Sequence, residues 1–182
     1  MTRPVFAALP ACALGVAILT ACHWGEKEAY IIPPKETAEQ QYFFAVQHRQ
    51  NLMKIPTRDR ERQYRSIIEA YEAVPKRFPD DQVHTPLARL DIADCHFELK
   101  HYSEALKLYK AAQKDYAAND FVQARSLLEQ GRCYEALKNN RKAVECYKQC
   151  ADQYSGHPNE VIQKVVASAK ALSDRILPVS PK

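Results

Sequence analysis

Glycine is scarce in this chain of 182 residues: there are four, and Gly131 is the only one between Gly25 and Gly156. A loop that cradles phosphates, or a Gly-x-Ser-x-Gly nucleophile turn, needs glycines close together, so the sequence excludes both. It has no motif that pairs a nucleophile with a base, and its six histidines lack the spacing of metal ligands. These absences predict a protein with no catalytic residues, no metal site and no cofactor.

Neither sign of charge dominates, since the chain has 26 basic and 22 acidic residues. The formal net charge is +4. A balance of this kind favours neither a nucleic-acid partner nor an acidic interaction tail. The partners that we expect are therefore proteins and a membrane, not nucleic acid.

The first 21 residues have the organisation of an export signal. Arg3 supplies a positive charge, residues 5–19 form an apolar stretch too short to span a bilayer as a helix, and small residues precede Cys22. The sequence LTAC at residues 19–22 resembles the signal peptides of bacterial lipoproteins. That resemblance implies lipidation of Cys22, cleavage before it and a lipid-anchored mature chain. A plain secretory peptide or an uncleaved anchor are the alternatives.

The rest of the chain divides at its prolines. Residues 22–35 are predicted to be an extended tether, because Pro33-Pro34 blocks a helix and the segment has no apolar periodicity. Residues 36–177 are predicted to form one domain, and residues 178–182 a tail.

A period of 38 residues runs through this domain and relates Tyr71, Tyr109 and Tyr147. The same offset relates further aromatic, small and cysteine positions, namely Phe78, Tyr116 and Tyr154; Val74, Ala112 and Cys150; Ala93 and Gly131; Cys95 and Cys133. A period in this range indicates stacked units, each too small to bury its apolar face alone.

Capping signals predict that each unit is a pair of helices. Thr85-Pro86 is predicted to begin a helix that runs to about Lys100, and Ser103 to cap the next one, which runs to about Tyr116. The helices of the following unit are predicted at about Asn119 to Lys138 and Arg141 to Tyr154.

Other signals mark the two ends of the domain. Thr37 begins a capping box, and Pro56-Thr57 interrupts the helical pattern and restarts it. Pro75 should kink the helix that contains it, near the end of that helix. His157-Pro158 is predicted to start a last helix, which Pro178 ends.

The small and aromatic positions resemble the tetratricopeptide repeat (TPR) motif. They are Ala93, Tyr102, Ala105, Tyr109, Ala112, Gly131, Tyr134, Ala143 and Tyr147. The motif usually spans about 34 residues; the longer period here is similar to the TPR lipoproteins of the BamD (YfiO) outer-membrane assembly family and to the TPR region of the YbgF (CpoB) proteins. The resemblance implies an all-α, right-handed TPR-like solenoid of about three helix pairs plus a C-terminal capping helix.

The same resemblance implies a function. It predicts a non-enzymatic, lipid-anchored scaffold that faces the periplasm and binds envelope assembly machinery. A YbgF-like coordinator of peptidoglycan synthesis or cell division is the alternative, and a thiol-redox or enzyme-accessory module is a more distant one. His23 follows Cys22 where some bacteria read an aspartate as an inner-membrane signal, which favours the outer membrane.

In TPR proteins the first helix of each pair lines a concave groove that takes peptides or partner helices. Residues at i, i+4 and i+7 share such a helix face. They are Leu90, Asp94 and Phe97 in one unit, and Leu128, Arg132 and Glu135 in the next. We therefore predict a partner-binding groove at these six residues. A solvated face with a few apolar residues is the alternative.

Four cysteines, Cys95, Cys133, Cys146 and Cys150, would remain in an oxidising compartment after processing. Cys146 and Cys150 lie four apart on one predicted helix, a spacing that is marginal for a disulfide. We predict that all four are free thiols in place of small residues on packed helical faces. A Cys133–Cys150 or similar disulfide, and a metal site, are the alternatives.

Overall fold

The computed structural model describes residues 32–176, so the predicted signal segment, Cys22 and the C-terminal tail lie outside the described residues. Residues 32–176 form seven α-helices and no strand. The helices are α1 (Ala38–Met53), α2 (Arg60–Arg77), α3 (His84–Glu98), α4 (Tyr102–Asp115), α5 (Asp120–Ala136), α6 (Asn140–Tyr154) and α7 (Glu160–Ile176). Three helix pairs and a seventh helix confirm the predicted all-α, TPR-like solenoid. None of these helices is long and apolar enough to cross a membrane.

The helices form two layers. Each helix contacts the next along the chain, and the odd-numbered helices also contact one another in order, α1 with α3, α3 with α5 and α5 with α7. Within residues 32–176 no Cα atom of α4 lies within 8 Å of one in α2 or α6. The odd-numbered helices are therefore the closely packed inner layer, and the even-numbered helices are an outer layer with gaps.

The tyrosines of the 38-residue period lie at the centre of the core. Tyr71, Tyr109 and Tyr147 stand on the three outer helices and are each 1% exposed or less. Small residues of the same period, such as Ala105 and Ala143, are fully buried beside them. The aligned large and small positions therefore reflect the same packing repeated along the stack.

Polar side chains cap several helices, and the cap predicted at Thr37 is confirmed. Thr37 accepts a hydrogen bond from a backbone N–H at the start of α1, and Asn119 and Asn139 do the same for α5 and α6. Helix α1 ends at Met53 and α2 begins at Arg60, so the helical structure is interrupted around Pro56 as predicted. Helix α7 begins at Glu160, two residues later than Pro158 suggested, because Asn159 caps it.

The cap predicted for α3 is wrong. Thr85 is the second residue of this helix, and its hydroxyl donates to the Phe78 carbonyl at 2.7 Å. Asp81 caps the helix instead, because one of its carboxylate oxygens accepts from the backbone N–H groups of residues 83, 84 and 85. Burial alone would raise the pKa of Asp81, but these N–H groups lower it below its usual value.

The cap predicted for α4 is wrong as well. The helix begins at Tyr102, so Ser103 already lies inside it, and no side chain caps this end. The reason lies in the preceding turn. Lys100 has a φ of 64°, and the N–H of the next residue donates to the carbonyl five residues earlier at 2.9 Å. Lys138 ends α5 in the same way, with a φ of 63° and a bond of 2.8 Å. This left-handed helix ending sets where the following helix begins.

Candidate functional site

The six residues of the predicted groove lie on the inner helices α3 and α5, but two of them are not accessible. Leu90 is 0% exposed and Leu128 is 8% exposed. Leu90 packs among residues of α4 and α5, and Leu128 among residues of α6 and α7. The prediction that these leucines line an open groove is wrong, because the neighbouring helices cover this part of the face.

Asp94, the first predicted charge, is bound by the protein itself. The Tyr109 hydroxyl donates to one oxygen of Asp94, and the Arg125 guanidinium donates to the other. Arg125 also donates to Asp91 at 3.1 Å, and the second oxygen of Asp91 accepts from the Tyr42 hydroxyl at 2.8 Å. These five side chains tie α1, α3, α4 and α5 together.

The charges of this network are largely buried. Burial is the largest influence on the pKa of Arg125 and lowers it, yet Asp94 and Asp91 outweigh burial and raise the pKa above its usual value. Burial raises the pKa of Asp91, although the Arg125 charge opposes the shift. Burial likewise raises the pKa of Tyr109, and Asp94 raises it further. One arginine thus holds two carboxylates where solvent screening is weak.

Glu135, the last residue of the predicted groove, is bound in a similar way. The Tyr147 hydroxyl donates to Glu135 at 3.2 Å, and Arg175 of α7 donates to the other carboxylate oxygen. In both cases the periodic tyrosine of an outer helix bonds a carboxylate of its own inner helix, and an arginine of the next inner helix bonds that carboxylate. We name these triads the first clasp (Tyr109, Asp94, Arg125) and the second clasp (Tyr147, Glu135, Arg175).

The accessible remainder of the predicted groove is a contact between Phe97 and Arg132, which we name the Phe97–Arg132 patch. The Arg132 guanidinium lies 4.9 Å from the centre of the Phe97 ring, and it donates to Glu129 at 2.9 Å. Phe97 is half-buried and packs edge-on against Tyr102, with 5.2 Å between the ring centres. The Arg132 side chain is 44% exposed. An aromatic ring and a cation from successive units therefore meet here. That they bind a partner stays a prediction.

All four cysteines in the described part of the chain are free thiols, and Cys95, Cys133 and Cys150 are buried. Burial raises the pKa of Cys95 and of Cys133 to about 12 and that of Cys150 to about 11. These three thiols therefore stay protonated at neutral pH, which agrees with the prediction of packed thiols. Cys146 is only half-buried. Within residues 32–176 no group of histidine, cysteine and carboxylate side chains could hold a metal ion.

Sequence reasoning missed the two clasp arginines and Asp91. Neither arginine follows the 38-residue period, since Leu87 is the equivalent of Arg125 and Leu137 that of Arg175 one unit earlier. Asp91 does have an acidic equivalent, Glu129. A weaker signal was available. Asp91 and Arg125 each lie in an apolar segment of an inner helix, and a charged residue in such surroundings needs a partner of opposite charge.

Comparison with known families supports the repeat. Residues 87–119 and 125–157 match the family model of the tetratricopeptide repeat. The two matches begin 38 residues apart, which is the period of the sequence, and they cover most of α3 with α4 and of α5 with α6. No curated protein matches the chain. Tetratricopeptide repeats generally serve as scaffolds that bind proteins on their extended surfaces.

Proposed function

We propose that this chain is a non-enzymatic scaffold of the cell envelope that is anchored by lipid at Cys22 and holds protein partners on its inner helical layer. The observation that carries the proposal is the pair of TPR matches together with the Phe97–Arg132 patch, which lies where the two matched units meet. The first partners to seek are those of outer-membrane protein assembly, because the signal sequence and the long repeat resemble BamD-type lipoproteins.

The Phe97–Arg132 patch has the chemistry of an interface anchor. Aromatic and arginine side chains often contribute most of the binding energy of protein interfaces. Arg132 has five N–H donors and directs only one nitrogen at Glu129, so other donors remain for a partner carboxylate or carbonyl. The half-buried ring of Phe97 offers apolar area beside them. We expect a partner segment that presents both an apolar side chain and an acceptor.

The partner test is co-purification from detergent-solubilised envelopes. We expect wild-type protein to capture barrel-assembly proteins, and Phe97→Ala to weaken capture about 30-fold, the equivalent of about 2 kcal/mol. Phe43→Ala is the matched control, because Phe43 is an aromatic residue on another inner helix that is 51% exposed. Capture of every partner by a folded Phe97→Ala variant would contradict the proposal. Capture of peptidoglycan synthases or Tol-type proteins instead would favour the YbgF-like role.

Arg132→Glu is a poor probe of the Phe97–Arg132 patch. It would place two carboxylates side by side and leave Glu129, which is 8% exposed, without its cation. Burial already raises the pKa of Glu129 while Arg132 opposes the shift, so the variant should be destabilised as well. Arg132→Gln removes the charge and should destabilise the protein less. A melting curve of this variant should be measured with its capture, to establish that it is folded.

The anchor has its own test. Cys22→Ser should abolish acylation and move the protein out of the membrane fraction, since the sulfur atom of Cys22 would carry the lipid. Mass spectrometry of the wild-type N-terminal peptide measures this directly. An unmodified peptide that begins at Cys22 or His23 would disprove lipidation and leave the scaffold part of the proposal standing.

A further inference from the structure

The outer layer leaves a cavity between α2 and α4, with α3 as its floor. Its volume is about 410 Å³, within the range of pockets that hold small ligands. Pro75, Ile92 and Leu108 line its apolar wall together with Ala111 and Ala112. The cavity exists because no Cα atom of α2 lies within 8 Å of one in α4 in the described structure, and because alanines and a proline ring carry no side chain long enough to fill the gap.

The next junction of the stack is filled differently. One period on, Gln113 takes the place of Pro75 and Gln130 that of Ile92, and these two amides bond each other at 2.8 Å. Gln149 takes the place of Ala111. The apolar wall is therefore a property of this junction and does not follow from the repeat as such.

The edge of the cavity is charged. Glu72, Lys76 and Arg89 line it, and all three are exposed. None of them has an ion-pair partner among residues 32–176. Two cations and one carboxylate give this edge a net charge of +1, which complements a ligand with a single negative charge.

We propose that this cavity binds an acyl carboxylate, that is, a small ligand with an apolar chain and one carboxylate. The chain lies against Pro75, Ile92 and Leu108, where it is removed from water. The carboxylate bonds Arg89, whose planar fork of N–H donors matches two carboxylate oxygens, and Lys76 adds a second charge. The site is on the outer layer, so it is independent of the Phe97–Arg132 patch and of the proposed scaffold function.

Calorimetric titration of the full chain with decanoate tests the proposal. Decanamide has the same apolar chain without the charge, and acetate has the charge without the chain. Decanoate should bind at least about ten-fold more tightly than either, because a hydrogen bond to a charged group and the apolar contact both contribute. Equal binding of decanoate and decanamide would overturn the proposal.

Three variants locate the site. Arg89→Gln should weaken decanoate binding about ten-fold. Ala111→Gln introduces the residue that the next unit has at this place, so it should fold and fill the cavity, and binding should be lost. Lys114→Gln is the control, because Lys114 is the equivalent of Lys76 one unit on and does not line the cavity. The site would be wrongly placed if Arg89→Gln bound like wild type, or if Lys114→Gln weakened binding as much. Circular dichroism of each variant establishes that it is folded.

Discussion

The first matched unit (α3 with α4) and the second (α5 with α6) each bury a tyrosine ring at the equivalent position. The two tyrosine hydroxyls, however, donate to carboxylates at different positions of the inner helix. Tyr109 and Tyr147 are both 0% exposed. Tyr109 bonds Asp94, whereas the equivalent of Asp94 in the second unit is Arg132, and Tyr147 bonds Glu135 three residues further along. The period therefore fixes the packing of the ring. The acceptor that a buried hydroxyl needs is supplied separately at each junction.

The largest expected effect tests the shared part of this comparison. Tyr109→Ala and Tyr147→Ala should each lower the free energy of unfolding by about 3–5 kcal/mol, because each leaves a cavity the size of an aromatic ring in the core. Urea unfolding followed by circular dichroism measures both. A variant that unfolds like the parent would show that its ring is not a core element, and the equivalence of the units would fail.

A smaller effect should distinguish the units at the position where one has Ala93 and the other Gly131. A Cβ atom on Gly131 would overlap the Tyr147 ring, with Cδ1 at 2.6 Å and Cζ at 2.8 Å. Gly131→Ala should therefore destabilise the protein by about 1–3 kcal/mol through overpacking, although alanine is the better helix former. Gly131→Leu should be worse.

The reciprocal change, Ala93→Gly, is the matched control and should cost about 1 kcal/mol from helix propensity alone. Both variants can be measured in the same urea titration. If Gly131→Ala stabilised the protein, the Tyr147 ring would have room to move, and the close approach of α5 and α6 would not be required.

The pH dependence of stability at alkaline pH should distinguish the two units, because they differ in their buried thiols. A thiol whose pKa is raised in the folded state ionises first in the unfolded chain, so stability falls as pH rises above about 9 and continues to fall up to the folded pKa. For Cys133 and Cys150 that limit is about 12 and about 11. Each thiol contributes a slope of up to about 1.4 kcal/mol per pH unit.

Replacing both Cys133 and Cys150 by Ala should therefore remove about twice as much of the alkaline slope as Cys95→Ala does in the first unit. Unfolding measured at intervals from pH 7 to pH 11 gives the slopes, and below pH 8 the slopes of all variants should coincide. Equal slopes at high pH would show that these thiols are not buried as described. Alkylation of the unfolded, unreduced mature lipoprotein should separately label four cysteines, namely Cys95, Cys133, Cys146 and Cys150.

The last prediction compares the two clasps. Tyr109→Phe should cost about 1.5–3 kcal/mol, because it removes a hydrogen bond to a charged, mostly buried acceptor. Tyr147→Phe should cost only about 0.5–1 kcal/mol, since its 3.2 Å bond goes to Glu135, whose side chain is 31% exposed, so that water can replace the hydroxyl. Tyr116→Phe serves as the control. Equal losses would mean that the two clasps do not differ in strength.

The sequence predicted the fold better than the site. The 38-residue period identified the repeated units and their tyrosines, because close packing repeats wherever the same large and small residues recur. The capping signals identified the helix pairs. The same spacing could not tell which side of α3 and α5 is covered, so Leu90 and Leu128 were assigned to an open face. The i, i+4 pattern defines a face of a helix but not what lies against it.

The clasps were beyond sequence reasoning for a related reason. Arg125 bonds a carboxylate 31 residues earlier in the chain, and Arg175 one 40 residues earlier. The two sequence separations differ although both arginines come from the following inner helix. The rotation of that helix about its axis decides which side chains meet, and the sequence does not give this rotation. The start of α3 was misplaced for a local reason: Asp81 reaches three backbone N–H groups, which Thr85 cannot do from inside the helix.

The lysines that end α3 and α5 bear on how far this protein could be engineered. A residue other than glycine costs about 1 kcal/mol or more in the left-handed conformation of Lys100 and Lys138. Both positions are exposed and take no part in either clasp. Glycine at each should thus raise the thermal tolerance of the stack without altering its core. Because the same strained turn recurs once per unit, the gain would grow with the number of units in an extended array built from this sequence.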